Sequence, residues 1–170
     1  MKNFTWCPQE AIKACLKHFP IPHSHVCIRS FGAEIVTPQC GNPAIYLDFH
    51  DLDPICIRQT LAYRGNTIKG EEYIAHCMTE DHAKVIAQFV SHRPDDELIV
   101  VNCEAGISRS AGTVLALRRH YGGDTEDVFK NAMPNPHVTA TVGRVLDRIK
   151  VGFLVLGEEE KAKFGWETEE

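Results

Sequence analysis

The chain has no Cys-x-x-Cys pair, no internal repeat, no excess of positive charge and no apolar run near the ~20 residues that cross a membrane. Each absence excludes a class of function. The seven cysteines, at positions 7, 15, 27, 40, 56, 77 and 103, are odd in number and have no ligand or framework spacing. They read as reduced thiols, most of them small core residues, and exclude a disulfide scaffold and a zinc knuckle. A formal net charge of -5 leaves no basic footprint for nucleic acid or an anionic membrane surface. The opening MKNFTWCPQEA lacks the charged-then-apolar layout of a secretory signal, so the expectation is a soluble cytoplasmic protein. The two histidines of PHSH have no cysteine or acid at accompanying ligand spacing, so no metal is expected, and nothing in the sequence asks for a cofactor.

What is present is enough for one core. With 170 residues, 44% of them hydrophobic, a single domain over 1–156 is expected, followed by an acidic, fraying tail over 157–170. CPQEAIKACLKHF carries helical spacing and ends at Pro20, and HSHVCIRS reads as a strand. In AIYLDF, at 44–49, Ile45, Leu47 and Phe49 alternate with polar positions as in a half-buried strand. From 55 to 80 periodicity is poor, which predicts an irregular excursion with at most one or two helical turns. Thr79 is placed to cap a helix over 80–92, and LIVV at 98–101 lacks alternation, as a strand covered on both faces does. RSAGTVLALRRHY reads as a helix closed by Gly122 and Gly123. Thr125 is placed to cap EDVFKNAM, PNPHV reads as a break, and a last helix is expected over 139–156. Strands alternating with helices predict an α/β fold with a central, mainly parallel sheet of four to five strands and helices on both faces.

The segment with chemistry is ELIVVNCEAGISRSAG, residues 97–112. A buried strand runs into Cys103, then a small-residue loop, then a helix starting near Arg109. At a helix N-terminus several backbone N–H groups lack partners and gather the positive end of the macrodipole, which favours an anion. The loop Glu104, Ala105, Gly106, Ile107 and Ser108 is placed to wrap its amides round a tetrahedral oxyanion, Gly106 allows the turn, and Arg109 adds parallel donors. A thiol in that field is favoured as the thiolate, and Ser110 can donate to its sulfur.

CEAGISRS resembles the active-site loop of the cysteine-based protein tyrosine phosphatases, Cys-x-x-Gly-x-x-Arg followed by Ser or Thr, and looks most like the dual-specificity branch. More weakly, the stretch from IYLDFHDLD to the final helix is similar to small bacterial and phage tyrosine phosphatase-like proteins. The resemblance implies a dual-specificity-phosphatase-like fold and metal-independent phosphomonoester hydrolysis through a phosphocysteine. Cys103 is then the nucleophile, Arg109 the phosphate clamp and Ser110 the sulfur's hydrogen-bond donor. It also implies an aspartate beyond an earlier strand as general acid. Asp51 is the first choice and Asp53 the second, since both lie past the strand end while Asp48 faces away. His50, beside Asp51, is a further candidate for tuning the acid or touching substrate.

In MPNPHV, Asn135 matches the Pro-Asn stretch that returns toward the phosphate loop in many dual-specificity enzymes. The departure is Asn102, where the family usually has a histidine that helps keep sulfur ionised; an amide never carries positive charge. The expected partner is a phosphorylated protein or a small phosphate ester, because EAGIS contains no Lys or Arg for a polyanionic lipid headgroup and adds the negative Glu104. The alternatives are a catalytically weak phosphate-binding module, which Asn102 allows, and a sulfurtransferase, which Ser-Arg-Ser after the glycine disfavours.

Overall fold

The computed structural model describes residues 2–15, 21–30, 33, 42–64 and 67–150. The elements are β1 (Asn3–Pro8), α1 (Gln9–Cys15), β2 (His23–Arg29), β3 (Ala44–Asp48), α2 (Pro54–Arg64), α3 (Thr67–Ile74), α4 (Glu80–Ser91), β4 (Leu98–Cys103), α5 (Arg109–Tyr121), α6 (Glu126–Asn131) and α7 (Pro136–Lys150). The fold is α/β. Among the described residues the sheet has four strands in the order β1-β4-β2-β3, and every pairing is parallel.

The burial of each strand follows its place in that order. The central β2 and β4 are buried almost throughout, which explains their unbroken apolar or neutral character, while the edge strand β3 alternates buried Ile45 and Leu47 with exposed Tyr46. Phe4, Val26, Ile45, Ile99 and Val101 line one face and meet Val85, Phe89, Val114, Val142 and Leu146 from α4, α5 and α7. The β3-to-β4 and β1-to-β2 crossovers run in opposite directions across the sheet. Right-handed connections therefore put α4 and α1 on opposite faces, and α1 packs on β1 and β4 with Ile12 buried. All four strands point their C-terminal ends to one edge of the sheet, where ligands of parallel α/β folds bind.

Four sequence expectations are corrected. Residues 3–8 form a strand that was not foreseen, and α1 accordingly starts at Gln9 instead of Cys7. The span 55–80 is not an irregular excursion but holds α2 and α3; α2 starts with Asp53 accepting from the Ile55 N–H at 2.9 Å and Pro54 in the first helical position. Thr125 makes no capping bond with its side chain; Asp124 Oδ1 accepts from the Glu126 N–H instead, at 2.9 Å, and α6 ends at Asn131. PNPHV is not a break: α7 opens at Pro136, and Asn135 caps it by accepting from the Val138 N–H at 3.1 Å. Thr79 does cap α4, in a reciprocal box whose second acceptor is His82 Nδ1. The end of the last helix beyond 150 and the tail over 157–170 lie outside the described residues. Among the described residues no helix is long and apolar enough to cross a membrane.

Candidate active site

β4 delivers Cys103 to the C-terminal edge of the sheet with its side chain 2% exposed, and the chain turns through residues 104–108 into α5. The turn is folded down onto the junction of β1 and α1. Gly106 has φ +68°, and a Cβ there would lie 2.3 Å from Pro8 N and 2.6 Å from the Cys7 carbonyl carbon, so only glycine fits. Three carbonyls of the turn are tied to the surrounding backbone. Glu104 O accepts from Gln9 N–H at 3.3 Å, Ile107 O from Met133 N–H at 3.1 Å, and Ser108 O from Asn135 N–H at 3.1 Å and Gly112 N–H at 2.8 Å. With the carbonyls so engaged, the amides of 104–108 have no protein acceptor among the described residues. Ser108, at the N-cap of α5, makes no side-chain cap bond either. N–H donors with no described partner are thereby left in the turn between the thiol and the N-terminus of α5, the arrangement that binds an oxyanion.

Arg109 enters the same space from the first turn of α5 and is 3% exposed. A guanidinium has five N–H donors. Nη1 donates to the Phe49 carbonyl at 2.8 Å and to Ser30 Oγ at 3.2 Å, and Nη2 donates to Glu104 Oε2 at 3.2 Å. Nε is buried with no partner among the described residues. Three donors therefore fix the plane of the group, and two, one on Nε and one on Nη2, are left for a ligand. Ser110 is fully buried, with Oγ 3.1 Å from Cys103 Sγ.

The other candidates fall in different places. Asp51 sits on the rim of the turn: its Oδ1 accepts from Ser108 Oγ at 2.7 Å and from Asn135 Nδ2 at 2.8 Å. Asn135 thus supports the turn through its backbone and Asp51 through its side chain. Asp53 is engaged in starting its own helix, and its second oxygen faces Cys56 Sγ at 3.8 Å. His50 lies against His76, donating its N–H to the His76 carbonyl at 2.7 Å with the rings edge-on at 5.5 Å. Asn102 is buried on the sheet face opposite Cys103, in register with Cys7 and Cys27, and its Oδ1 has no partner among the described residues.

Two contributors were not expected from sequence. Ser30 and the Phe49 carbonyl hold the guanidinium, and both stand just past a strand end on the edge where Cys103 emerges. The readable signal was position: in a parallel sheet, residues that follow strand ends converge. Beneath them, His82 packs on the Phe49 ring at 5.3 Å, and burial lowers its pKa from the ordinary histidine value despite Asp81 and Asp48. Among the described residues no three His, Cys, Asp or Glu side chains are grouped to hold a metal ion.

No family model matches this chain, and no curated protein matches it. It is similar to several solved structures. One is the human tyrosine phosphatase-like serine/threonine/tyrosine-interacting protein, at 19% identity and TM-score 0.43, with 90% of this chain and 94% of that one covered. A variant of human DUSP28 aligns at 16% identity and TM-score 0.43 over 88% of this chain and 92% of that one. PTPMT1, solved in complex with PI(5)P, aligns at 10% identity and TM-score 0.44 over 89% and 95%. No residue role follows from likenesses at this level.

Proposed function

We propose that the chain hydrolyses phosphate monoesters through a phosphocysteine, in the manner of the tyrosine and dual-specificity phosphatases its loop resembles. The observation that carries this reading is the turn that follows Cys103: its amides and two Arg109 donors have no partner among the described residues, and the Ser110 hydroxyl lies 3.1 Å from the thiol. Cys103 attacks phosphorus while the amides and Arg109 hold the equatorial oxygens, where charge develops in the transition state. The ester P–O bond breaks, and Asp51 gives its proton to the departing oxygen. Water then attacks the phosphocysteine and returns a proton to Asp51. The S–P bond breaks, Ser110 hydrogen-bonds the departing sulfur, and inorganic phosphate leaves.

Asp51 is preferred to Asp53 because it is bonded to the loop itself, whereas Asp53 is held by the N-terminus of α2. The carrier of the phosphate is a phosphorylated protein or a small ester. The second reading is a phosphate-binding module with little turnover. It is favoured by Asn102, which supplies no charge where the family usually has a histidine and whose Oδ1 has no partner among the described residues.

The deciding experiment is steady-state hydrolysis of p-nitrophenyl phosphate by the wild type and by Cys103→Ser, with iodoacetamide labelling of the thiols near pH 6. The catalyst turns over, loses all activity in the variant, and has Cys103 labelled first and protected by vanadate. Vanadate protection without turnover selects the binding module. No protection and slow labelling of Cys103 refutes both.

A further inference from the structure

We propose that Glu104 is a positioning residue for Arg109 and a charge filter that admits a lone phosphate group while rejecting one with a second anion beside it. The inference rests on the phosphatase reading and names its substrate class. Glu104 is the one acid between Cys103 and Ser110, in a turn otherwise built to gather donors. Its carboxylate spans two elements: Oε2 accepts from Arg109 Nη2 at 3.2 Å, and Oε1 from the Ser30 N–H at 3.3 Å.

The positioning role follows from the count of anchors. Ser30 and the Phe49 carbonyl hold Nη1 alone, so without Glu104 the guanidinium can pivot about that nitrogen and swing its spare Nε and Nη2 donors off the oxyanion. The backbone of Glu104 is fixed independently, by Gln9. The carboxylate therefore trims the orientation of Arg109 without being needed to form the turn.

The filter follows from where the charge stands. The Glu104 side chain is 45% exposed, on the lip of the site. Burial opposes its ionisation, but the bonds to Ser30 and the charge of Arg109 outweigh burial and hold its carboxyl below the usual carboxylate range. The same contacts that orient Arg109 thus favour the charged form of Glu104. Another part of the lip is apolar: Ile107 and Met133 are 47% and 77% exposed and are joined by the Met133 N–H to Ile107 carbonyl bond. A phosphate bound to Arg109 has its charge met by the turn. A second anion near Glu104 meets a like charge with no cation of the turn left to balance it, whereas an uncharged or apolar neighbour has Ile107 and Met133 to rest on.

The test uses Glu104→Gln, which removes the charge and keeps one carbonyl oxygen to accept from Arg109 while losing the acceptor for Ser30, and Glu104→Ala, which removes the charge and both acceptors. Tungstate affinity is read by protection of Cys103 from alkylation. Turnover is read on p-nitrophenyl phosphate and on two peptides of one sequence, one with a single phosphotyrosine and one with a phosphoserine two positions away in addition. Wild type is expected to prefer the singly phosphorylated peptide. Glu104→Gln should bind tungstate about three- to tenfold more tightly, lose most of that preference and lose less kcat than Glu104→Ala. Glu104→Ala should lower kcat by about tenfold or more at unchanged thermal midpoint, because the clamp has lost its orientation. Two variants indistinguishable from wild type overturn the proposal, and so does a wild type that prefers the doubly phosphorylated peptide. A wild type that neither binds tungstate nor turns over refutes the phosphatase reading first and this inference with it. Normal wild-type behaviour with unaltered variants removes Glu104 alone.

Discussion

Replacing Asp51 by asparagine separates its hydrogen bonds to the turn from the proton transfer proposed for it, and the geometry says which will survive. Oδ1 accepts from both Ser108 Oγ and Asn135 Nδ2, at 2.7 and 2.8 Å. An asparagine carbonyl oxygen at the same point accepts both bonds, and its amide nitrogen falls where Oδ2 stands, which has no partner among the described residues. The rim of the turn is therefore kept and only the transferable proton is lost. General acid catalysis contributes about 10²- to 10⁴-fold, or about 2.7 to 5.5 kcal/mol of barrier. That full loss is expected in kcat on a phosphotyrosine or phosphoserine peptide, whose leaving oxygen cannot depart cheaply as an anion. On p-nitrophenyl phosphate, whose leaving group departs readily, the loss should stay below about tenfold.

Asp51→Ala removes the acceptor as well. Bonds to a charged group are worth about 1.5 to 3 kcal/mol each, so this variant should also disturb Ser108 and Asn135 and raise KM on every substrate. The assay is kcat and KM for wild type, Asp51→Asn, Asp51→Ala and Asp53→Asn on one activated and one unactivated ester. Equal losses of kcat on both esters in Asp51→Asn would refute the proton-transfer role. A large, leaving-group-dependent loss in Asp53→Asn instead would move the role to a residue the structure occupies with its own helix.

Gly106→Ala places a Cβ 2.3 Å from Pro8 N on a backbone with φ +68°, so the turn must shift; turnover should fall by about 10²-fold or more and vanadate should no longer protect Cys103, and wild-type kinetics would refute the packing described. His25, fully buried, has its pKa lowered to about 4 by burial and by His23. It is therefore neutral when folded, and its stabilisation is complete above pH 6.5 and is lost as pH falls from 6.5 through about 4, to a maximum of about 3 kcal/mol. His82 acts in the same direction, since its Nδ1 must stay unprotonated to accept from the Thr79 N–H. Urea unfolding at pH 7.5 and 4.5 should show a steeper loss in wild type than in His25→Gln, and equal pH dependence in the two would refute the assignment. Asn102→His should speed alkylation of Cys103 at pH 6 by less than about tenfold, and an unchanged rate in a folded variant would show that charge at this position does not matter.

The cysteine loop was legible because everything that defines it is local. Strand, glycine turn, arginine and helix follow one another within residues 97–112, and each has its own signal. β1 was not legible because it is a short edge strand in which only Phe4 is deeply buried, so alternation over Asn3–Pro8 hardly registers. α2 and α3 escaped for a related reason: their described side chains, Ile55 and Tyr73 among them, are exposed or half-buried, and a stretch without a buried stripe shows no period. The one sequence signal of α2, Asp53 before Pro54, is a helix start that equally well reads as a turn.

The choice between Asp51 and Asp53 had a different obstacle. Both follow β3, and strand alternation excludes only Asp48, which pairs with Arg29 across the neighbouring strand. What separates them is where each finds partners: Asp53 bonds two residues away, within its own helix cap, while Asp51 bonds Ser108 and Asn135, 57 and 84 positions along the chain. No local pattern encodes contacts of that span, but topology constrains them. Once β1 is counted, four parallel strands bring Pro8, Ser30, Phe49 and Cys103 to a single edge, and a polar residue one to three steps past any strand end becomes a candidate. By that rule Ser30 is as predictable as Asp51, and the acid bound by its own helix is the weaker choice before any distance is measured.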